Sequence, residues 1–103
     1  MKIFDVYIAY VTWGDSGKRR PVLILEESVG SVTVFNITTQ YENKSNDIRD
    51  KYFKINDWKQ AGLERQSYID TNQTVTLPLT AVDNLIGKLS TSDEQRLIEF
   101  INQ

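Results

Sequence analysis

The sequence predicts a single α+β domain, mainly β: a small, strongly curved antiparallel sheet or barrel carrying one amphipathic helix. Three observations lead there. The chain has 103 residues, of which 40% are apolar, enough for one compact core but not for two. Five or more short runs rich in β-branched and aromatic residues are separated by turn-forming Gly, Asp, Ser and Asn. The clearest helical pattern lies at the C-terminal end.

The first run, Val6–Trp13, ends at Gly14-Asp15-Ser16-Gly17, a strand and its turn. The second, Pro21–Leu25, is unbroken apolar sequence with Pro at its first position, where a strand tolerates a missing N–H. After a turn at Glu26–Gly30, Ser31–Thr39 alternates, placing Val32, Val34, Asn36 and Thr38 on one face and Thr33, Phe35, Ile37 and Thr39 on the other. Gln40–Lys51 is polar without an apolar period and reads as a mobile loop. A short strand at Tyr52–Ile55 follows, then a helical turn through Trp58–Ala61, capped by Asn56 or Asp57 and ended by Gly62. Two further strands, Ser67–Asp70 and Thr74–Leu79, are separated by polar residues, and Pro78 ends the second or places it at an edge. The last element is a helix over Ser92–Asn102. Thr91 and Glu94 have capping-box spacing, and Leu97, Ile98, Phe100 and Ile101 supply its apolar side.

Composition narrows the chemistry. There is no Cys, hence no disulfide, no thiolate nucleophile and no Cys-based metal site, and no His, the commonest general acid-base and metal ligand. Any catalysis must use Arg, Lys, Asp, Glu, Ser, Thr or Tyr, and a domain this small has no room for a deep cofactor cavity; no cofactor and no metal are expected. No apolar run approaches the roughly 20 residues of a membrane helix, and no secretory signal is visible, so the expected location is the cytoplasm. The 12 basic and 14 acidic residues are unevenly spread: residues 1 to 65 hold ten bases and nine acids, residues 66 to 103 two bases and five acids. An acidic total is compatible with nucleic-acid binding where the bases cluster.

The densest basic cluster is Lys18-Arg19-Arg20, between a Gly-rich turn and a strand. A solvated turn is the plainer reading of three such charges. A hairpin of the second and third strands centred on Val29, however, pairs positions that sum to 58 and sets Arg20 opposite Thr38. Cross-strand partners have Cβ atoms roughly 4.5 to 5.5 Å apart, so a guanidinium, a hydroxyl and the Asn36 amide would gather at one sheet end. Arg presents a planar fork of donors that matches phosphate oxygens. A one-residue slip would bring Thr39 there from the other face. Trp13, Tyr41 and Trp58 are available to stack on bases, at about 1–3 kcal/mol each, or to fill a core or an interface.

Six segments, in order, resemble the MazF/PemK toxins of type II toxin-antitoxin systems. They are DVYIAYV (Asp5–Val11), GKRRPVLIL (Gly17–Leu25), VFNITT (Val34–Thr39), Gly62-Leu63 with Ser67–Ile69, VTLP (Val75–Pro78) and LIGKLS (Leu85–Ser90). The resemblance runs over nearly the whole of residues 1–103 as one domain. It implies an SH3-like barrel with added helices, a homodimer, and a metal-independent, sequence-selective endoribonuclease that cuts single-stranded RNA and is neutralised by a cognate antitoxin. By that resemblance the Arg before Pro, Arg20, and the Thr ending the third strand, Thr38, are the central catalytic pair. Lys18, Arg19, Asn36, Thr39, Ser67 and Asp70 would line the RNA groove. Asp70 lies where some family members carry a charged catalytic residue, and Ser67 where a Ser often stands. The implied antitoxin has a disordered acidic-apolar tail that covers Arg20 and folds as it binds.

Two other readings stay open at the level of sequence. One is a non-catalytic barrel that binds protein or nucleic acid, since no general base is evident. The other is an assembly protein that uses the C-terminal helix as its contact surface.

Overall fold

In the computed structural model, which describes residues 1–103, β1 (Asp5–Trp13) turns into β2 (Ser16–Ser28) through Gly14-Asp15. Gly14 has φ +55°, as the first central residue of a two-residue hairpin often requires. The strand β2 is much longer than the Pro21–Leu25 run, because Ser16–Arg20 pair with β1 although they are polar. β2 then turns at Val29-Gly30 into β3 (Ser31–Thr38). Next to the turn, paired positions sum to 59, as in Ser28 with Ser31. A bulge at Leu25 restores the sum of 58, which holds for Ile24–Val34, Leu23–Phe35 and Val22–Asn36.

The segment expected to be a mobile loop contains a one-turn helix, α1 (Asn46–Arg49), with Ser45 as its N-cap. Four residues are too few to show a period. The Lys51 carbonyl accepts from the Thr71 backbone N–H (2.9 Å) and Oγ1 (2.6 Å), which ties the end of the segment to the sheet. After β4 (Tyr52–Lys54), the predicted turn before Gly62 forms a single i→i+4 bond, Ala61 N–H to Asp57 O, without becoming a helix. The two strands expected at Ser67–Asp70 and Thr74–Leu79 are one, β5 (Tyr68–Pro78). Their polar separator is a wide bulge: Asp70 pairs with Asn36 and Val75 with Val34, so Thr71–Thr74 stand opposite Phe35 alone. A 3₁₀ turn (Leu79–Ala81) leads to β6 (Val82–Lys88), which the sequence reading omitted because Asp83 and Asn84 imitate a turn. The sheet is six-stranded and antiparallel, in the order β4-β5-β3-β2-β1-β6.

Strand alternation gives the sheet an apolar cluster on each face. The larger holds Val6, Leu23, Phe35, Ile37, Phe53 and Ile69, and the C-terminal helix α2 (Thr91–Ile101) covers it with Leu97 and Phe100. The smaller holds Ala9, Val11, Val22, Ile24, Val32, Val34 and Leu77. The sheet curls until the Ala61-Gly62 turn lies against the backbone of Ile86-Gly87 in β6.

The helix cap is Ser90, one residue before the expected Thr91, and its Oγ accepts from the Asp93 N–H (3.1 Å). Asp93 is fully buried. Its carboxylate accepts from the Asn56 and Asp57 N–H groups (3.4 and 2.8 Å) and pairs with Arg96 (2.7 Å), pinning the turn after β4 to the helix. Asp93→Ala leaves both N–H groups without their acceptor and is expected to cost about 2–3 kcal/mol. In a domain of this size that lowers the thermal midpoint by about 10–20 °C, measurable by calorimetry.

Candidate active site

The four strands β2, β3, β5 and β4 lie side by side, and the ladder registers align their residues in rungs on the face of the smaller cluster. Val22, Asn36, Asp70 and Tyr52 form one rung. In the next, Thr38 pairs with Tyr68 and Tyr68 with Lys54, while Arg20 continues the β2 register toward Thr38. At this end of the face the apolar cluster gives way to a polar cleft of about 400 Å³. Lys18, Arg19, Arg20, Asn36, Thr38, Thr39, Ser67 and Asp70, the eight residues singled out from the sequence, all line it.

Arg20 is half-buried, and its Nε–H is shut off from solvent without a hydrogen-bond acceptor. Its guanidinium sits 5.4 Å from the centre of the Trp13 ring, a cation–π contact that holds the side chain across the cleft wall. The Asn36 Oδ1 is likewise buried and unpartnered. A buried polar group without a partner costs about 1–3 kcal/mol, so a ligand that supplies one gains that interaction on entry. The Thr38 Oγ1 accepts from the Gln40 N–H (3.0 Å), leaving its own O–H free to donate. Asp70 Oδ1 accepts from the backbone and side-chain N–H groups of Asn72 (2.9 and 2.8 Å), and its Oδ2 has no partner.

The remaining residues take other parts. Arg19 alternates to the opposite face and forms an ion pair with Asp83 on β6. The Ser67 hydroxyl is buried and donates to the Arg65 carbonyl (2.9 Å), so it shapes the cleft through the turn it closes. Thr39, past the end of β3, is exposed at the rim. Of the three aromatic residues considered for base stacking, Tyr41 stacks on Tyr68 (4.4 Å between centroids) and Trp58 packs against the larger core cluster away from the cleft. Trp13, half-exposed, does not line the cleft but packs its ring against Arg20, which does.

Sequence reasoning missed Lys44 and Tyr52. Lys44 reaches the cleft from the segment read as a loop, giving three cations outside any ion pair, Lys18, Arg20 and Lys44, against the single carboxylate of Asp70. A chain of net charge −2 thus carries a positive cleft. Tyr52 is 9% exposed; burial first, then the Asp70 carboxylate, raise its phenol pKa above the ordinary value, and Arg20 partly offsets this. Its place in the site follows only from the β4–β5 register, which no local signal specifies.

A model of the "PemK-like, MazF-like toxin of type II toxin-antitoxin system" family matches residues 2–103. The chain belongs to this family. Among solved structures, the Mycobacterium tuberculosis toxin MazF-mt6 is similar at 30% identity and a TM-score of 0.70, over 95% of this chain and 92% of that one. Another Mycobacterium tuberculosis toxin is similar at 31% identity and a TM-score of 0.63, over 81% of this chain and 89% of that one. A mycobacterial endoribonuclease in complex with its cognate antitoxin shares the fold at 13% identity and a TM-score of 0.65, over 95% of this chain and 85% of that one. No curated protein matches the chain. The MazF-like fold accounts for the six-stranded sheet and C-terminal helix and agrees with the α+β class read from the sequence. No helix of this MazF-like toxin is long and apolar enough to cross a membrane.

Proposed function

We propose that this MazF-like toxin is a sequence-selective endoribonuclease that cuts single-stranded RNA by attack of the substrate's own 2′-OH. The observation that carries the reading is Arg20: a buried guanidinium Nε–H without an acceptor, in a positive cleft beside a free Thr38 hydroxyl. In this reaction the 2′-oxygen bonds to the adjacent phosphorus and the bond to O5′ breaks. The products are a 2′,3′-cyclic phosphate and a 5′-OH end. The protein supplies no nucleophile; it supplies donors to the phosphoryl oxygens on which charge builds. Arg20 and Thr38 take that part, each such donor typically contributing about 10²- to 10³-fold in rate. A guanidinium is a donor and not a base, so the 2′-OH proton goes to Asp70, which lines the cleft and whose Oδ2 makes no hydrogen bond within the chain. The 5′ oxygen leaves with the bonding pair and takes its proton from solvent. Lys18 and Lys44 hold the flanking backbone. The same reading includes a homodimer, a cytoplasmic site of action, and a cognate antitoxin whose acidic segment neutralises the positive cleft.

Incubation of the purified protein with an unstructured RNA in excess EDTA tests this directly. Discrete fragments with 5′-OH and cyclic-phosphate ends are expected. A single 2′-deoxy substitution at the mapped position should stop cleavage there and nowhere else. RNA binding without cleavage would favour the non-catalytic barrel, and cleavage that needs a divalent ion would refute the mechanism.

A further inference from the structure

Tyr52 lies in the same rung as Asn36 and Asp70, one rung from Thr38, and its side chain lines the cleft. About nine-tenths of the residue is buried, while its hydroxyl is not sealed from solvent and makes no hydrogen bond within the chain. A Tyr O–H that opens on a polar cleft and has no partner inside the chain can donate to an acceptor that enters there. Its ladder partner Asp70 is engaged on one oxygen by Asn72. Its ring neighbours Tyr41, 6.2 Å away between centroids, which in turn stacks on Tyr68 and lies under the Arg49 guanidinium. A phenol on a side chain nine-tenths buried has little rotational freedom left to lose when it donates.

We propose that the Tyr52 hydroxyl donates a hydrogen bond to a non-bridging oxygen of the scissile phosphate, opposite the oxygen held by Arg20. This role rests on the ribonuclease reading above and deepens it. The phenol keeps its proton throughout. Burial and the neighbouring Asp70 carboxylate raise its pKa, which makes it a poor acid and a persistent neutral donor. No bond to Tyr52 forms or breaks, and the proton balance of the reaction is unchanged. Tyr52 therefore stabilises charge on the phosphoryl group, while Asp70, in the same rung, receives the 2′-OH proton.

Tyr52→Phe keeps the ring and removes only the hydroxyl, so the packing of the rung survives. Single-turnover cleavage of a short RNA carrying the mapped site is expected to slow about 10- to 100-fold. Binding of the same RNA blocked by 2′-O-methylation should change by less than about twofold. The decisive comparison uses the two phosphorothioate diastereomers at the scissile bond. Sulfur accepts hydrogen bonds poorly, so one diastereomer should slow the wild type by about tenfold and lose most of that effect in Tyr52→Phe. A variant that cleaves as fast as wild type overturns the proposal. So does a variant that is slow but keeps the full effect of both diastereomers, which marks a merely structural Tyr. If the wild type itself leaves every RNA intact, the ribonuclease reading falls, and this role with it.

Discussion

Arg20→Ala is expected to abolish both RNA cleavage and the growth arrest caused by induced expression. The guanidinium is the cleft cation whose Nε–H is buried without an acceptor. Its loss removes a charge-assisted donor from the phosphoryl group, a decrease of at least about 10²- to 10³-fold in the single-turnover rate. The fold should be indifferent, because the ion pair at this strand end belongs to Arg19 and Asp83, and removing Arg20 also removes a buried unsatisfied group. Arg20→Lys sharpens the test. It keeps the charge but not the planar fork, so a rate near that of Arg20→Ala would show that geometry, and not charge alone, makes this position effective. Mapping of 5′-OH ends in total RNA, beside growth curves and a thermal melt, separates the outcomes. Full activity of Arg20→Ala would remove the basis of the assigned mechanism.

Gly62→Ala is expected to be the most damaging single-methyl change in the molecule. Gly62 has φ +83°, which costs an L-residue about 1–2 kcal/mol by itself. An added Cβ would also lie 2.0 Å from the Ile86 carbonyl oxygen and 2.6 Å from its carbon, both backbone atoms. The turn and β6 would have to separate, and we expect a loss of about 4 kcal/mol or more, a large part of the stability of such a domain. Gly14→Ala is the matched control. It too has positive φ, +55°, but nothing lies within 4 Å of the added atom, so it should lose only about 1–2 kcal/mol. Urea unfolding of the two variants gives the difference directly. Similar midpoints would mean that the Gly62 contact with β6 is slack.

Local chemistry made some of this molecule legible in its sequence. The hairpins at Gly14 and Gly30 announce themselves, and the sum of 58 that sets Arg20 toward Thr38 could be counted from the turn. The count succeeded because a bulge at Leu25 cancels the offset at the turn, a compensation that the sequence does not advertise. What stayed hidden depends on long-range pairing. β6 looks like a turn until β1 pairs with it, and Asp93 looks like an ordinary first-turn acid until the turn after β4 delivers two N–H groups to it. Tyr52 reads as the first residue of a short strand. Only the alignment of β4 with β5 and β3 puts it in the rung of Asp70 and Asn36. The burial of most of this residue is a property of four strands together.

Alternation also sets where this scaffold can change length. One residue added between Asn36 and Thr38, or between Tyr68 and Asp70, would exchange cleft-facing for core-facing positions along the rest of that strand. At Thr71–Thr74 the count is already uncoupled, because four residues stand opposite one. Insertions and deletions there leave Asp70 and Tyr68 in place on one side and Val75 and Leu77 on the other. That short stretch is the sheet's expansion joint, and descendants of this chain can lengthen or shorten it while Asp70 keeps its place in the cleft.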